Sequence, residues 1–543
     1  MPPICNSLTR DLSFSGASMA KRFITNICGG VRRSDIRKVG LSDAVNMFLE
    51  EKNPDEHSVT MIMRSIDGCK TWCTPAGVPR GMFKVSRNYA GQGAPEEPRT
   101  YGVWGDTLYL LGESGAEAIG KLATNSGSVH FCETGGYGSA HPHLIVTDGV
   151  NVYALNTGIS VFNQKAQFAE HGTIKLPKRV NTTDRFISPT HCAYLYGYLV
   201  VNDAGTDAFY TSYQYPFEAL PEDDPNYYDL FRVNSVAFKD YGFVTYSEWQ
   251  PDNTLALFAN GSRLFTFGSR SFQVFQYNND VNNPFTSPDT AAQNIGIKAV
   301  DSLVGLGSIV CWLGGSDVGN NGVYVNRGGV DCERISTTEI ETIIEELPAQ
   351  ADAIGQIWSE RQHTFYALTF PAGNVTLVYD FLTGVWHKRA TLGAKNKLNK
   401  WRYLYATMNE EGKILFADVG ACVVEDRKNW TEHDGNPIFR KRVGGVVMNN
   451  HQNFVCDWVQ IVTNNGQNQA IAENAKITIR YSFDGATFSS IEQLPLGRVG
   501  EYDFETLFFI GEYGRYLTLE ISCTENCPFA LLGIDFGGDA MEW

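Results

Sequence analysis

A tight turn followed by a short apolar run recurs along this chain at nearly fixed intervals. The runs are Gly105-Asp106-Thr107-Leu108-Tyr109-Leu110, Asp148-Gly149-Val150-Asn151-Val152-Tyr153, Tyr196-Gly197-Tyr198-Leu199-Val200, Asn260-Gly261-Ser262-Arg263-Leu264-Phe265 and Gly307-Ser308-Ile309-Val310-Cys311. Leu108, Val152, Leu199, Leu264 and Ile309 stand 44, 47, 65 and 45 residues apart, and Gly412-Lys413-Ile414-Leu415-Phe416 continues the series. An interval of about 45 residues is the length of one four-stranded propeller blade. The pattern predicts an all-β chain built on a β-propeller, with about six or seven blades between residues 46 and 430. Radial closure suits such a sequence because it leaves few strand edges exposed. The long interval holds Glu218–Asp229, a polar stretch that reads as a loop insertion.

Composition agrees. The chain has 543 residues, 43% hydrophobic and 12% aromatic, with 53 Gly, 25 Tyr and 32 Phe. That is enough apolar matter for a large core and enough glycine for many turns. Formal net charge is −16. An acidic surface repels phosphate, which disfavours general duplex binding. The opening MPPICNSLTRDLSFSG has no uninterrupted apolar run, and no stretch approaches the ~20 apolar residues of a membrane span. Folding in cytoplasm is expected, with the 12 Cys as thiols rather than a disulfide framework.

Three parts are expected. Residues 1–45 form a basic arm: Arg10, Lys21, Arg22, Arg32, Arg33, Arg37 and Lys38 face only Asp11 and Asp35 within the first 40 residues. Lys21, Arg22, Arg32, Arg33, Arg37 and Lys38 are the candidate contacts to an acidic partner; a solvated tail is the alternative. Residues 46–430 form the propeller. Residues 431–543 form an antiparallel β-sandwich, read from the alternating Ala475–Tyr481, the Asp484-Gly485 turn, Arg515–Ile521 and Phe529–Phe536.

Motifs for chemistry mostly fail on inspection. Gly115-Ala116-Glu117-Ala118-Ile119-Gly120-Lys121 fits a phosphate loop, but Leu122 stands where Ser or Thr must hold magnesium. A hairpin between strands is the better reading. Ser65-Ile66-Asp67-Gly68 and Ser482-Phe483-Asp484-Gly485 look like turn-stabilising Asp motifs, in which the carboxylate accepts backbone N–H bonds. His141-Pro142-His143 lacks a third metal ligand nearby, and Cys69/Cys73 with Cys523/Cys527 are too far apart in sequence for a strong zinc signal. No catalytic set can be assembled, so no catalytic, cofactor or metal residue is expected. Glu339, Glu341, Glu345 and Glu346 lie on a predicted helix, either as its solvated face or as lining of a negatively charged channel.

The most distinctive block runs from Val330 to Arg389. It reads VDCERISTTEIETIIEEL, then IWSERQHTFYALTFP, then TLVYDFLTGVWHKR. A short amphipathic helix (Ile335, Ile340, Ile344) is expected, then a strand, a Pro turn, a second strand and a turn into Trp386. Elsewhere stand Val45-Asn46-Met47-Phe48, Arg64-Ser65, Leu108-Tyr109, Gly112-Glu113-Ser114, Phe265–Phe275, Asn294-Ile295-Gly296-Ile297 and Gly514-Arg515. In order and spacing these resemble the tail hub proteins of short-tailed bacteriophages, the packaged-DNA stabilisation family. The resemblance implies a virion structural part and not an enzyme. It implies a homohexameric ring, made in host cytoplasm and placed in the tail below the portal and its adaptor protein. Such a ring carries tail fibres or tailspikes, is closed by a plug or needle protein, and passes genomic DNA through its lumen without specific binding. The alternative from another class is a carbohydrate-binding or carbohydrate-active propeller with a C-terminal sandwich.

Overall fold

The computed structural model describes residues 21–25, 27–31, 42–55, 58–85, 99–134, 143–156, 188–211, 244–246, 251–280, 283–288, 292–316, 319–448, 452–464, 466 and 475–540. It separates into two units, residues 66–439 and residues 1–65 with 440–543.

In the first of these, the described residues form seven antiparallel sheets that follow one another in chain order. Sheet one is Pro79–Lys84, Thr100–Trp104, Thr107–Gly112 and Gly115–Lys121; sheet two is His130–Glu133, His143–Thr147 and Val152–Asn156. Sheet three is Cys192–Leu195, Tyr198–Asn202, Ala208–Thr211 and Val244–Tyr246; sheet four is Ala256–Asn260, Arg263–Phe267, Phe272–Tyr277 and Phe285–Thr286. Sheet five centres on Ile309–Ser316 and Gly319–Asn326, flanked by Gly296–Ile297, Val304–Leu306 and Cys332–Arg334. Sheet six is Ile354–Glu360, His363–Phe370, Val375–Asp380 and Val385–Leu392. Sheet seven is Leu404–Met408, Ile414–Asp418 and Ala421–Asp426, completed by Gly68–Cys73 from the start of the unit.

Each sheet touches the next, and the cycle closes, as a propeller requires. Apolar clusters fill the first four seams, with Leu108, Ile119, Leu144 and Leu155 between sheets one and two, for example. Burying a Leu or Phe side chain contributes roughly 1.5–3 kcal/mol, so these seams dominate the stability of the unit. Polar ties add direction. Asn260 Nδ2 donates to Ser308 O (2.9 Å), Tyr366 OH to Ser302 O (2.9 Å) and Gln356 Nε2 to Tyr403 O (3.0 Å). Trp104 Nε1 donates to Asp418 O (2.8 Å), joining sheet one to sheet seven, where Met82, Trp104, Leu415 and Val424 share a core.

The closing strand fits with no room to spare. Gly68 donates to Asn429 O (2.7 Å) and Cys69 to Thr431 O (3.1 Å). A Cβ on Gly68 would stand 2.4 Å from Thr431 O and 2.7 Å from Asn429 O, so only glycine allows this approach.

Several sequence readings change in detail. The stretch read as one strand, IWSERQHTFYALTF, is a hairpin, Ile354–Glu360 and His363–Phe370, turning through Arg361 and Gln362 at φ 50° and 72°. Type I′ turns need positive φ at both central residues and usually take Asn or Gly, so this turn carries no sequence signature. The 45-residue series also slips in phase: Leu108 and Val152 lie on third strands, Leu199, Leu264 and Ile309 on second strands. Glu218–Asp229 falls outside the described residues, between Ala208–Thr211 and Val244–Tyr246. The would-be phosphate loop is the strand Gly115–Lys121, paired with Thr107–Gly112.

The second unit is a sandwich of two sheets. One holds Met47–Asp55, Ser58–Ser65, Ala530–Ala540, Phe454–Thr463 and Thr506–Gly514; the other holds Asp43–Val45, Arg440–Met448, Tyr516–Cys523, Lys476–Ser482 and Glu492–Pro495. Phe454 meets Phe483, and Tyr481 meets Phe508, across the gap between them. Asp484 accepts N–H bonds from Ala486 and Thr487 at 2.8 and 2.7 Å, the turn chemistry read from its motif.

The units part at 65/66 and 439/440 rather than at 45/46 and 430/431. Part of the supposed arm is built into the sandwich unit. Lys21 and Arg22 begin the strand Lys21–Thr25, which pairs with Ala530–Ala540 in the register Lys21↔Gly538 and Arg22↔Gly537. Ile27 and Val31 are buried, and the Arg442 guanidinium donates to Ile27 O (2.7 Å), Ser42 Oγ (3.0 Å) and Asp43 O (3.2 Å). The charge count drew attention away from the apolar residues between the cations. Arg32, Arg33, Arg37 and Lys38 lie outside the described residues.

Candidate functional site

The innermost strands of the seven sheets line a shared cavity of about 730 Å³. Phe83 and Phe131 stack on its wall at 6.0 Å, and Tyr194, Phe258 and Trp358 add further rings. Polar groups tie the sheets together around it. His130 Nε2 stands 3.7 Å from Asp301 Oδ1, its ring stacks on His191 at 3.7 Å, and the Ser128 and Tyr405 hydroxyls share a hydrogen bond of 2.8 Å. Burial pushes Asp301 up, but His130 and Ser128 outweigh it and hold the carboxyl below its ordinary value. Burial and the neighbouring His130 hold His191 well below the usual histidine range, so it is neutral.

Ser, His and Asp thus sit together, but not as a nucleophilic triad. The imidazole faces the carboxylate at 3.7 Å, the Ser128 hydroxyl is bonded to Tyr405, and among the described residues no hydrogen bond runs from the serine hydroxyl to the imidazole that would have to take its proton. The trio is a tie between sheets two and five.

A second charged site lies at the seam between sheets six and seven. Asp67, Glu360 and Glu425 bring carboxylate oxygens within 4.8 Å of one another. They come from the turn before the closing strand, the Ile354–Glu360 strand end and the Ala421–Asp426 strand. Two guanidiniums answer them. Arg361 pairs with Asp67, and Arg389 NH2 stands 3.3 Å from Glu360 while its CZ lies 4.7 Å over Trp358, 4.7 Å over Trp401 and 5.2 Å over Phe365. Burial and the charge of Glu360 push Glu425 up to about 9, so it is protonated at neutral pH. Burial pushes Glu360 up as well, but Arg389 outweighs it and keeps this carboxylate below its ordinary value. Burial also pushes Glu432 up to about 7. With two guanidiniums and a protonated glutamate, the three acids are balanced internally; the donor set favours a shared proton over a cation.

The acidic residues read from the helix divide. The helix spans Thr338–Glu345. Glu341 is buried and paired with Arg334, and Ser336 Oγ donates to it at 2.5 Å. It is a structural ion pair, which corrects its reading as channel lining: at its position the helix packs inward beside Ile340 and Ile344. Glu345 and Glu346 are exposed and Glu339 half-buried, and none of the four lines the axial cavity. His141 and Pro142 lie outside the described residues; His143 opens a strand. Asp67 binds Arg361, 294 residues away. Cys73 stands opposite Cys422 in the closing strand pair, and the Arg440 guanidinium donates to Cys523 Sγ at 3.8 Å, so the two CxxxC pairs do not act as a unit.

The sevenfold run of sheets and its closure establish the architecture; comparison with known proteins places it. Residues 231–424 match the family model Phage_stabilise, described as bacteriophage P22 Gp10, beta-propeller. Over those residues the propeller is similar to the phage-stabilisation family. The match supports a phage structural role and a place in the virion. No curated protein matches the sequence. Among solved structures, the chain is similar to BBS1N in complex with ARL6DN (12% identity, TM-score 0.39, 66% of this chain and 95% of that one). It is similar also to the WD40 beta propeller domain of Doa1 (8%, TM-score 0.35, 66% and 96%) and to an exo-beta-1,3-galactanase from Phanerochaete chrysosporium (10%, TM-score 0.26, 87% and 100%). TM-scores this low carry no weight for function.

Proposed function

We propose that this chain is the tail hub, or nozzle, subunit of a short-tailed phage. About six copies form a ring that extends the portal channel, holds the end of the packaged DNA and gives fibres or tailspikes a platform. The match of residues 231–424 to the phage-stabilisation propellers carries this reading. Two physical features support it. The axial cavity of about 730 Å³ has the volume of a small-molecule pocket, about 300–1,000 Å³, so a duplex has to pass between copies and not through one propeller. A net charge of −16 suits a wall along which phosphate slides without sticking, an effect screened beyond about 10 Å at 0.1 M salt.

In this reading Glu339, Glu345 and Glu346 are the helix acids left to face the lumen. Lys21, Arg22, Arg32, Arg33, Arg37 and Lys38 contact the adaptor or portal. The chain performs no turnover and needs no cofactor. Reversing Arg32, Arg33, Arg37 and Lys38 to Glu should give heads that package DNA and then lose it, with the defect smaller at high salt. Fully tailed, infectious particles from that variant would remove the basic segment from the docking interface. Release of sugar from a host polysaccharide by the pure protein would favour the carbohydrate reading instead.

A further inference from the structure

We propose that Cys73 and Cys422 are a redox latch on the strand that closes the propeller, open as thiols in a reducing cytoplasm and closed as a disulfide outside it. Cys73 ends the strand Gly68–Cys73, and Cys422 lies opposite it on Ala421–Asp426 in the antiparallel register. Directly opposed residues of an antiparallel pair have Cα atoms about 4.5–5.5 Å apart, within the ~4.4–6.8 Å that a disulfide spans. The register shifts between Cys422 and Val423, so this end of the pair is already free of the regular ladder. Both residues are thiols, both are buried in the core shared by sheets one and seven, and the Cys422 thiol reaches Met82 Sδ at 4.0 Å in that core.

The chemistry has a direction. The hydrogen bond from Cys422 holds the Cys73 thiol below its ordinary value, whereas Cys422 itself is pushed well above it by the same contact and by burial. Of the two, Cys73 is the thiol favoured as the thiolate. It attacks one sulfur of a small disulfide such as oxidised glutathione, forming a mixed disulfide and releasing one glutathione thiol. Cys422, deprotonated, then attacks the Cys73 sulfur and expels the second glutathione thiol. Two protein thiols are oxidised and one small disulfide is reduced to two thiols.

The latch would tie residue 73 to residue 422 across every blade of the ring. Covalent closure of so long a span restricts the unfolded chain more than a short loop would. The timing rests on the virion reading, because particles leave a reducing cytoplasm for an oxidising medium; the chemistry does not. Cys132 and Cys192 share another apolar cluster, between sheets two and three, where burial and Cys192 push the Cys132 thiol well above its ordinary value.

The test uses the purified full chain, incubated with oxidised glutathione at pH 8, alkylated, digested and weighed. The expected product is one linked peptide pair containing Cys73 and Cys422, two hydrogens lighter than the free peptides and released by reductant. The oxidised chain should melt at least about 5 °C higher than the reduced one. Cys422→Ala should lose both the linked pair and the shift; Cys73→Ala serves if that variant fails to fold. Full alkylation of Cys73 and Cys422 after oxidation, or a bond at Cys132–Cys192 or Cys523–Cys527 alone, would overturn the latch. Either result leaves the tail-hub reading where it stands, since a reduced hub is still a hub.

Discussion

The guanidinium of Arg361 donates from both Nε and NH2 to one carboxylate oxygen of Asp67, 294 residues earlier in the chain, with the Nε bond at 3.0 Å. Arg361 is the first of two left-handed residues in the hairpin of sheet six, and Asp67 immediately precedes the strand that closes sheet seven. One ion pair therefore holds a strained turn and fixes where the closing strand begins.

Asp67→Asn and Arg361→Gln should each destabilise the propeller. Breaking one partner of a buried pair costs about 3–5 kcal/mol, and the partial exposure of Arg361 places this case at or below the lower end. The double variant should lose less than the sum of the two, because each single change strands the other charge. Urea denaturation of the four proteins reads this directly; additive losses would show that the pair is not coupled.

Glu425 gives the propeller a pH dependence with a fixed sign. Its carboxyl is pushed from about 4.5 to about 9 by burial and by Glu360. A raised folded value means that the folded state holds the proton more tightly than the unfolded chain. The stabilisation is complete below about 4.5 and is lost as pH climbs through 9. Glu432, pushed up to about 7 by burial, adds to the decline up to neutral pH. Glu425→Gln, which keeps the shape and cannot ionise, should flatten the profile between pH 7 and 9. Parallel melting curves for the two proteins across that range would contradict the shared proton.

Gly68→Ala should open the ring at its seam. The added methyl meets two backbone oxygens that cannot rotate away, and overpacking of this kind costs about 1–3 kcal/mol. Hydrogen exchange should rise in Gly68–Cys73 and Ala421–Asp426 before it rises in sheets two to five. Uniform exchange through the unit would mean that the seam is not its weak point.

Arg442→Ala tests how the N-terminal segment is held. Four backbone or hydroxyl oxygens of residues 27–43 lose this donor, at about 1–3 kcal/mol for each group left buried and unsatisfied. Limited proteolysis should then cut between residues 21 and 42 while leaving residues 66–439 intact. Unchanged resistance there would show that pairing with Ala530–Ala540 suffices.

Much of the fold was legible because it is local. Turn-and-strand runs such as Asn260-Gly261 into Leu264, or Asp484-Gly485, carry their geometry in adjacent residues. What escaped is non-local or lacks a signature. Nothing in Gly68–Cys73 says that it pairs with a strand some 350 residues on. Arg361-Gln362 contains neither Gly nor Asn, and the side chain of its first residue is held by Asp67, far away in sequence. The seam cluster was invisible for the same reason: Asp67, Glu360 and Glu425 meet only once the ring closes. A charged pair, Glu360-Arg361, inside an apolar run was the one local hint. Glu341 was misread because its side of the helix turns inward onto Arg334, which the alternation of Glu and Ile does not reveal.

The most direct test of the tail-hub reading is to count this chain in purified virions of the phage that encodes it. Quantitative mass spectrometry against the portal protein, with cryo-electron microscopy of the tail, should find about six copies in one ring below the portal, with the DNA path between copies. Absence from the particle, a count of two, three or four, or a location on the head surface would contradict it.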